Sequence, residues 1–466
     1  MSGDLLRTRG RVALATVCAL ALAAPAAHAY DPAAEVSNYL KVHERFLHDH
    51  SDPEYQLGLR LEGVRQWLEL IEINATDPER NPFTLCAEHN DGCAGDVRMY
   101  DWGEQGLGFV QEIQFVNRNG STISGHVWAA FPRDGEATGR RPAISITNGS
   151  VQAPEELYWH AAQTLAQHGY VVLTWDPQGQ GRSDAFGAGA TMFRGFPAQQ
   201  APNFFEGTEE ALDFLLSTPG APYEPRAAEG SNAEAAAKQE RRVASGHADA
   251  HNPLHGIVDP ERIGIAGHSL GASAVSGVGI DDQRVDAIVA WDNLRAPEAG
   301  SAPRVPALGI SNDYGLTPTP FTEDPDPQAR NAAFAAYRSA RVDAMQVNIR
   351  GGTHYESSYI PNPAFGATLR GIDFVGWYTT AWFDKYVKGD PSADARLLSD
   401  RWLDDPREAE VDPAGDGNMF SSYFRSAVDI GGFECEDMRA GCGGALVPQA
   451  EDGVDGEWSF LEERRP

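Results

Sequence analysis

The chain of 466 residues is strongly acidic, with 67 aspartates and glutamates against 37 lysines and arginines and a formal net charge of −30. Nucleic acids and anionic membranes are themselves polyanionic, so a surface of this charge repels them, and the sequence predicts neither as a partner. The charge is typical of a protein kept soluble outside the cell or in salt. Composition leaves the oligomeric state open.

The N-terminus has the three parts of a secretory signal peptide. Three arginines within the first eleven residues precede an apolar run over residues 12–24, and a small-residue A-x-A site ends at Ala29. The run is shorter than the roughly 20 apolar residues that a membrane-spanning helix needs. We therefore expect residues 1–29 to be a cleaved signal peptide, and the protein to be exported without a membrane anchor.

Residues 30–106 predict a helical N-terminal extension. Apolar residues recur at helical spacing over residues 34–50 and again over residues 57–73, and the two runs are separated by Ser51, Asp52 and Pro53. The leucines and aromatic residues of such an extension usually form a docking face. We do not expect a separate active domain here.

The cysteines predict disulfides. Cys18 leaves with the signal peptide, and the remaining four form two local groups, Cys86 with Cys93 and Cys435 with Cys442. An even number of cysteines in an exported chain favours disulfide bonds over a metal site. Two local bridges are the favoured pairing. Bridges that join the N-terminal pair to the C-terminal pair remain the alternative.

Residues 107–390 predict an α/β catalytic domain built on a mostly parallel central sheet flanked by helices. Alternating residues on both sides of Asn119-Gly120 indicate a β-hairpin, and strand patterns then alternate with helix patterns. An Ala- and Glu-rich insertion is expected at about 219–255. Residues 391–466 are of irregular composition and form a C-terminal extension.

Residues 267–271 form a G-x-S-x-G motif centred on Ser269. A branched apolar run over 262–266 predicts a strand before it, and small residues over 272–278 predict a helix after it. Strand, tight turn and helix are the context of a nucleophile elbow, in which the strained turn requires residues almost without side chains at Gly267 and Gly271. The motif therefore predicts Ser269 as a catalytic nucleophile.

A serine nucleophile needs a base and an acid that orients the base. His354 is the only histidine after Ser269, and it follows a predicted strand over residues 344–349. Asp313 follows the preceding strand, and open α/β sheets gather their sites at the carboxyl ends of strands. We predict His354 as the base and Asp313 as the acid, with Asp292, one strand earlier, as the alternative acid.

These features resemble the α/β-hydrolase superfamily, and within it the secreted bacterial esterases and dienelactone-hydrolase-like enzymes. The resemblance runs from about residue 111 to residue 388, and the order serine, acid, histidine agrees with it. Residues 176–183 also resemble the D-x-x-G-x-G-x-S loop of that superfamily, which is structural there. The resemblance implies an α/β-hydrolase fold.

The resemblance also implies an oxyanion hole. The strand over residues 142–147 and the turn after it occupy the place that supplies one backbone donor in the family, where Asn148-Gly149 stands instead of the frequent His-Gly. By position, the N–H groups of Ser150 and Leu270 would be the donors. Because Asn148 departs from the family pattern, Val151 remains an alternative to Ser150.

The sequence thus predicts a secreted serine hydrolase that cleaves small-molecule or polymeric carboxylic esters through an acyl-enzyme. The mechanism requires no cofactor and no metal. A peptidase or an acyltransferase with the same three residues is one alternative class. A non-catalytic binding protein on a hydrolase scaffold is another.

Overall fold

The structure of the full chain is a computed structural model. The structure describes residues 32–83, 94–132, 139–150, 153–187, 200–226, 233–360, 367–401 and 419–449. The predicted signal peptide, the Cys86–Cys93 pair and Val151 lie outside these residues.

A ten-stranded sheet forms the centre of the described chain, with the strand order β1-β2-β4-β3-β5-β6-β7-β8-β10-β11. Its strands are β1 Gly108–Val116, β2 Thr122–Ala130, β3 Arg141–Thr147, β4 Val171–Trp175, β5 Val258–His268, β6 Ala287–Trp291, β7 Ala307–Asn312, β8 Ala344–Ile349, β10 Ala427–Ile430 and β11 Phe433–Cys435. The short strands β9 Ser399–Arg401 and β12 Val447–Gln449 pair separately.

The sheet is parallel at its centre and antiparallel at both edges. Strands β4, β3, β5, β6, β7 and β8 run parallel to their neighbours within this group. The β1–β2 hairpin, the β2–β4 pair and the two last strands are antiparallel. The prediction of an α/β fold and of an opening hairpin is confirmed, and the sheet as a whole is mixed.

Helices cover both faces of the sheet. They are α1 Pro32–His50, α2 Pro53–Thr76, α3 Trp159–Gln167, α4 Ala201–Leu215, α5 Ala233–Ala244, α6 Leu270–Asp281, α7 Ala332–Ser339, α8 Leu369–Phe383 and α9 Ala393–Leu397. Successive residues of a strand point to opposite faces. Ile288 of β6 therefore belongs to the core beneath α4, α6 and α7, while Val289 belongs to the core beneath α3 and α8.

The two predicted N-terminal helices are present, and their break is a helix cap. Asp52 accepts a hydrogen bond from the Tyr55 N–H at 2.8 Å, and Pro53 occupies the first helical position, where its missing N–H is not needed. Helix α1 packs through Val42 and Phe46 against Tyr314. Within the described residues, no helix is long and apolar enough to cross a membrane.

The C-terminal cysteines are joined. Cys435, at the end of β11, forms a disulfide with Cys442. This agrees with the favoured local pairing for the second group. The bridge closes a loop of a few residues beside the sheet edge, where β10 and β11 end the order of strands.

Candidate active site

Ser269 stands at a strained turn between β5 and α6. Its backbone has φ 56° and ψ −114°, in the region that residues with a side chain rarely adopt. A β-carbon on Gly267 would lie 2.5 Å from the Gly271 oxygen, and one on Gly271 would lie 2.3 Å from the Thr147 oxygen. Both glycines are thus required by close backbone packing, and the turn has the geometry that the motif predicts.

His354 is paired with Asp292. Its Nδ1 lies 2.5 Å from Asp292 Oδ2, and its backbone N–H donates to the Gly315 oxygen at 3.0 Å. Asp292 follows directly on β6 and is buried, with a backbone φ of 41°. A carboxylate in this position favours the tautomer in which Nδ1 carries the proton, and Nε2 is then available to accept one.

Asp313 is therefore not the partner of His354, and the favoured sequence prediction of the acid is wrong in this respect. Its carboxylate accepts hydrogen bonds from the Gly351 N–H at 2.8 Å and from the Ser421 hydroxyl. Burial raises the pKa of Asp313 to about 6. The side chain instead holds the first residues of the loop that carries His354.

The loops that carry Ser269 and His354 approach each other at the carboxyl edge of the sheet, although β5 and β8, the strands they follow, are separated by β6 and β7. The Ser269 N–H donates to the Trp291 oxygen at 2.9 Å, which ties the elbow to the residue before Asp292. The ring of His268, next to Ser269, has its centre 4.7 Å from that of His354. Among hydrogen bonds between described residues, none joins Ser269 Oγ directly to the His354 ring. Such contacts often tighten only when substrate is bound.

The turn after β3 lies against the elbow. A β-carbon on Gly149 would be 3.3 Å from Ser269 Cβ, so this backbone passes within contact distance of the serine. Ser150 follows and is partly exposed. Leu270 is the first residue of α6, where backbone N–H groups have no partner within the helix and the helix dipole is positive. Of the two predicted oxyanion donors, Leu270 is thus the residue after Ser269, and Ser150 belongs to the turn that packs against Ser269.

The D-x-x-G-x-G-x-S loop supports the turn after β3 from below. Asp176 is buried and accepts hydrogen bonds from the N–H groups of Arg182 at 2.9 Å and Glu155 at 2.7 Å, and from the Asn148 side chain at 3.3 Å. Gly181 has φ 50°, and a β-carbon there would clash with the Asp176 carboxylate. These contacts fit the structural role that the resemblance implies.

Two residues of the site have no counterpart in the sequence predictions. Tyr158 and His268 are buried between the turn after β3 and the loop that carries His354, and they hydrogen-bond each other. The second position of the G-x-S-x-G motif accepts many residue types, so the motif alone does not mark His268. Within the described residues, no group of three or more His, Cys, Asp or Glu side chains is placed to hold a metal ion.

Fold and site together define an α/β protein with a mixed ten-stranded sheet and a serine at a strand-to-helix turn beside a histidine–carboxylate pair. No protein-family model matches the chain. Over 76 residues the chain is 30% identical to Hydrolase LUC6 of a Fusarium species, a match that covers 16% of this chain and 18% of the relative. The chain thus matches less than a fifth of the length of this curated relative.

Among solved structures, the chain is similar to a ferulic acid esterase from Streptomyces cinnamoneus. The similarity covers 62% of this chain and 93% of the esterase, with 15% sequence identity and a TM-score of 0.40.

Proposed function

We propose that the protein is an exported serine hydrolase of the α/β-hydrolase type that cleaves carboxylic esters. The observation that carries the proposal is the strained Ser269 turn beside the His354–Asp292 pair. Any one of these three residues could have a purely structural role. A strained serine, a partly exposed histidine and a buried carboxylate at one sheet edge are together the parts of an acyl-transfer site.

In the proposed reaction, Ser269 Oγ attacks the ester carbonyl carbon while His354 Nε2 takes the hydroxyl proton. Asp292 stabilises the imidazolium that forms. Backbone N–H groups of Ser150 and Leu270 bind the developing oxyanion. The tetrahedral intermediate then expels the alcohol, which leaves with the proton from His354. Water repeats the sequence on the acyl-enzyme and releases the carboxylic acid and free Ser269.

Three further observations support the proposal. The serine follows β5 and the histidine follows β8, so both stand at the carboxyl ends of parallel strands, where open α/β sheets place their sites. The sequence relative is named a hydrolase. The signal-peptide pattern of residues 1–29 and the disulfide at the C-terminal end agree with export.

The test is hydrolysis of a chain-length series of p-nitrophenyl esters, with labelling by a fluorophosphonate probe. We expect activity and labelling in the wild type, and a loss of activity of at least about 10³-fold in Ser269→Ala. Ser273→Ala is the matched control, since this serine lies one helical turn further on and bonds Arg295. Unlabelled, inactive wild-type protein would contradict the proposal. Cleavage confined to peptide anilides would indicate a peptidase.

A further inference from the structure

His268 connects the two loops that border Ser269. Its Nδ1 lies 2.8 Å from the Tyr158 hydroxyl, and its Nε2 lies 2.7 Å from the backbone oxygen of His354. The Tyr158 hydroxyl also lies 2.8 Å from the Gly149 nitrogen. A continuous path of three hydrogen bonds therefore runs from the turn after β3, beneath the serine, to the backbone of the proposed base.

The direction of each hydrogen bond follows from the chemistry of the groups. A carbonyl oxygen only accepts, so the Nε2 of His268 must carry the proton that it donates to His354. Burial lowers the pKa of His268 well below its ordinary value, so the ring is neutral and Nδ1 accepts from the Tyr158 hydroxyl. Tyr158 in turn accepts from the Gly149 N–H, and burial raises its pKa, which keeps the phenol protonated.

We propose that His268 and Tyr158 are positioning residues that hold the oxyanion turn and the backbone of His354 at a fixed separation around Ser269. The proposal rests on the proposed function for its effect on rate. It also separates the roles of two adjacent histidines. Both nitrogens of His268 are occupied by hydrogen bonds, so His268 is not the base, whereas His354 uses only Nδ1 for Asp292.

The expected consequence is a change in rate rather than in substrate binding. Gly149 precedes the predicted donor Ser150, and a misplacement of about 1 Å in a catalytic group costs on the order of 100-fold in rate. Tyr158→Phe removes the hydroxyl that both Gly149 and His268 use. We expect it to lower kcat roughly 10- to 100-fold with KM within about threefold of the wild type.

Two substitutions at His268 test separately its hydrogen bond to Tyr158 and its hydrogen bond to His354. His268→Gln places an amide N–H near the position of Nε2 and can still donate to His354, whereas His268→Asn reproduces only the Nδ1 side. Both should lower kcat, and the double variant Tyr158→Phe/His268→Asn should lose less than the product of the single losses, because the two residues act as one unit. Wild-type kcat in Tyr158→Phe, or fully multiplicative losses, would overturn the proposal.

One measurement separates this inference from the proposed function and from simple misfolding. In ¹⁵N NMR spectra of histidine-labelled wild-type protein at neutral pH, His268 should appear as the neutral Nε2–H tautomer. This signal requires no ester hydrolysis. An Nδ1–H tautomer or a charged ring would contradict the proposed hydrogen bonds of His268 even in an active enzyme. Inactive wild-type protein with the expected tautomer would instead contradict the proposed function alone.

A second inference concerns helix α2, which presents an apolar stripe to solvent. Five residues spaced alternately by four and three positions are each more than half exposed, and Tyr55 and Leu59 on the opposite side are buried against the rest of the protein. The α2 stripe consists of Leu57, Leu61, Val64, Leu68 and Ile71, with exposed fractions between 56% and 63%.

The spacing of the α2 stripe selects another helix as its partner. A four–three repeat is the a/d pattern of a coiled coil, in which each apolar side chain enters a gap on a facing helix. An anionic lipid surface is a poor alternative, because the exposed Glu72 adjoins the stripe and the chain carries a net charge of −30.

We infer that the α2 stripe pairs with the same stripe of a second copy in antiparallel orientation. In a parallel pair, Arg60 would face Arg65 of the other copy, whose charge is already compensated by Glu62 and Glu69 of its own helix, so Arg60 gains no partner there. In an antiparallel pair, Arg60 faces Trp67, whose ring attracts a guanidinium. The same orientation brings Leu57 of one copy next to Leu68 of the other.

Sedimentation of the full chain over a range of concentrations tests the inference. We expect a monomer–dimer equilibrium that Leu61→Glu and Leu68→Glu each shift at least about tenfold toward monomer, with ester hydrolysis per site unchanged. Phe109→Glu is the matched control, since Phe109 is 56% exposed on β1. Wild-type protein that stays monomeric, or a dimer unaffected by both substitutions, would overturn the inference.

Cross-linking decides the orientation. A mixture of Leu57→Cys and Leu68→Cys chains should form mixed disulfide dimers under mild oxidation, whereas each variant alone should not. Efficient cross-linking of Leu57→Cys to itself would indicate parallel helices and contradict the antiparallel arrangement.

Discussion

His354 Nδ1 lies 2.5 Å from Asp292 Oδ2, although Asp292 and His354 follow strands that are separated in the sheet by β7. Asp313, which follows β7 itself, bonds the Gly351 N–H and the Ser421 hydroxyl instead of the ring. The two carboxylates therefore have different roles: Asp292 orients the proposed base, and Asp313 supports the loop that carries it.

This division predicts different effects of two identical substitutions. Asp292→Asn should lower kcat by about 10⁴-fold, because an amide favours the wrong tautomer of the histidine. Asp313→Asn should leave kcat within about tenfold of the wild type, since an amide oxygen can still accept from Gly351. Steady-state kinetics on a p-nitrophenyl ester measures both. A larger loss in Asp313→Asn than in Asp292→Asn would restore Asp313 as the acid.

The close packing around Gly149 leads us to expect that a single added methyl group lowers activity. A β-carbon there would lie 2.8 Å from His268 Nδ1 and 3.0 Å from the Tyr158 hydroxyl, both closer than ordinary packing allows. We expect Gly149→Ala to lower kcat/KM at least about tenfold by displacing the turn. Gly169→Ala is the comparison variant. A β-carbon there meets no atom within 4 Å, so only the positive φ of 82° disfavours alanine at that position. Full activity in Gly149→Ala would show that the turn can move without cost.

Because of the raised pKa of Glu210, we expect the free energy of unfolding to depend on pH. The side chain is buried, and burial raises its pKa to about 8 although the Arg118 backbone N–H and guanidinium both donate to Oε1. A carboxyl group whose folded-state pKa is raised binds more protons when folded, so its contribution to the free energy of unfolding falls as pH rises from about 4.5 to about 8.

Glu210→Gln removes this titration and keeps an oxygen for Arg118. The difference in unfolding free energy between variant and wild type should therefore become more favourable to the variant by on the order of 1 kcal/mol or more between about pH 5 and pH 8. Urea denaturation at the two pH values measures it. A difference that is the same at both pH values would mean that Glu210 does not titrate in this window.

The disulfide predicts a local contribution to stability. In the chain-entropy treatment, closing the short loop between Cys435 and Cys442 in the unfolded chain stabilises the protein by roughly 2–3 kcal/mol. The double variant Cys435→Ala/Cys442→Ala should lose about this amount in urea denaturation while ester hydrolysis remains. Because the bridge lies at the far sheet edge, a large loss of kcat without a loss of stability would contradict this reasoning.

Patterns in the chain are enough to predict the elements whose causes are local. The G-x-S-x-G motif predicted the strained turn at Ser269, because only glycines fit within 2.5 Å of the neighbouring backbone. The helical spacing and the Asp52-Pro53 break predicted α1 and α2, and the Asn-Gly pair predicted the opening hairpin. Each of these depends on residues a few positions apart, so the pattern in the chain carries the information.

Which side chains meet at the site depends on contacts between distant parts of the chain. Asp292 and Asp313 both follow strands of one parallel sheet, and their order in the chain does not say whose loop turns toward His354. The link from Gly149 through Tyr158 and His268 to His354 likewise joins residues separated by up to about 200 positions. Such contacts arise from the path of loops after the strands end, where no periodicity in the sequence specifies direction.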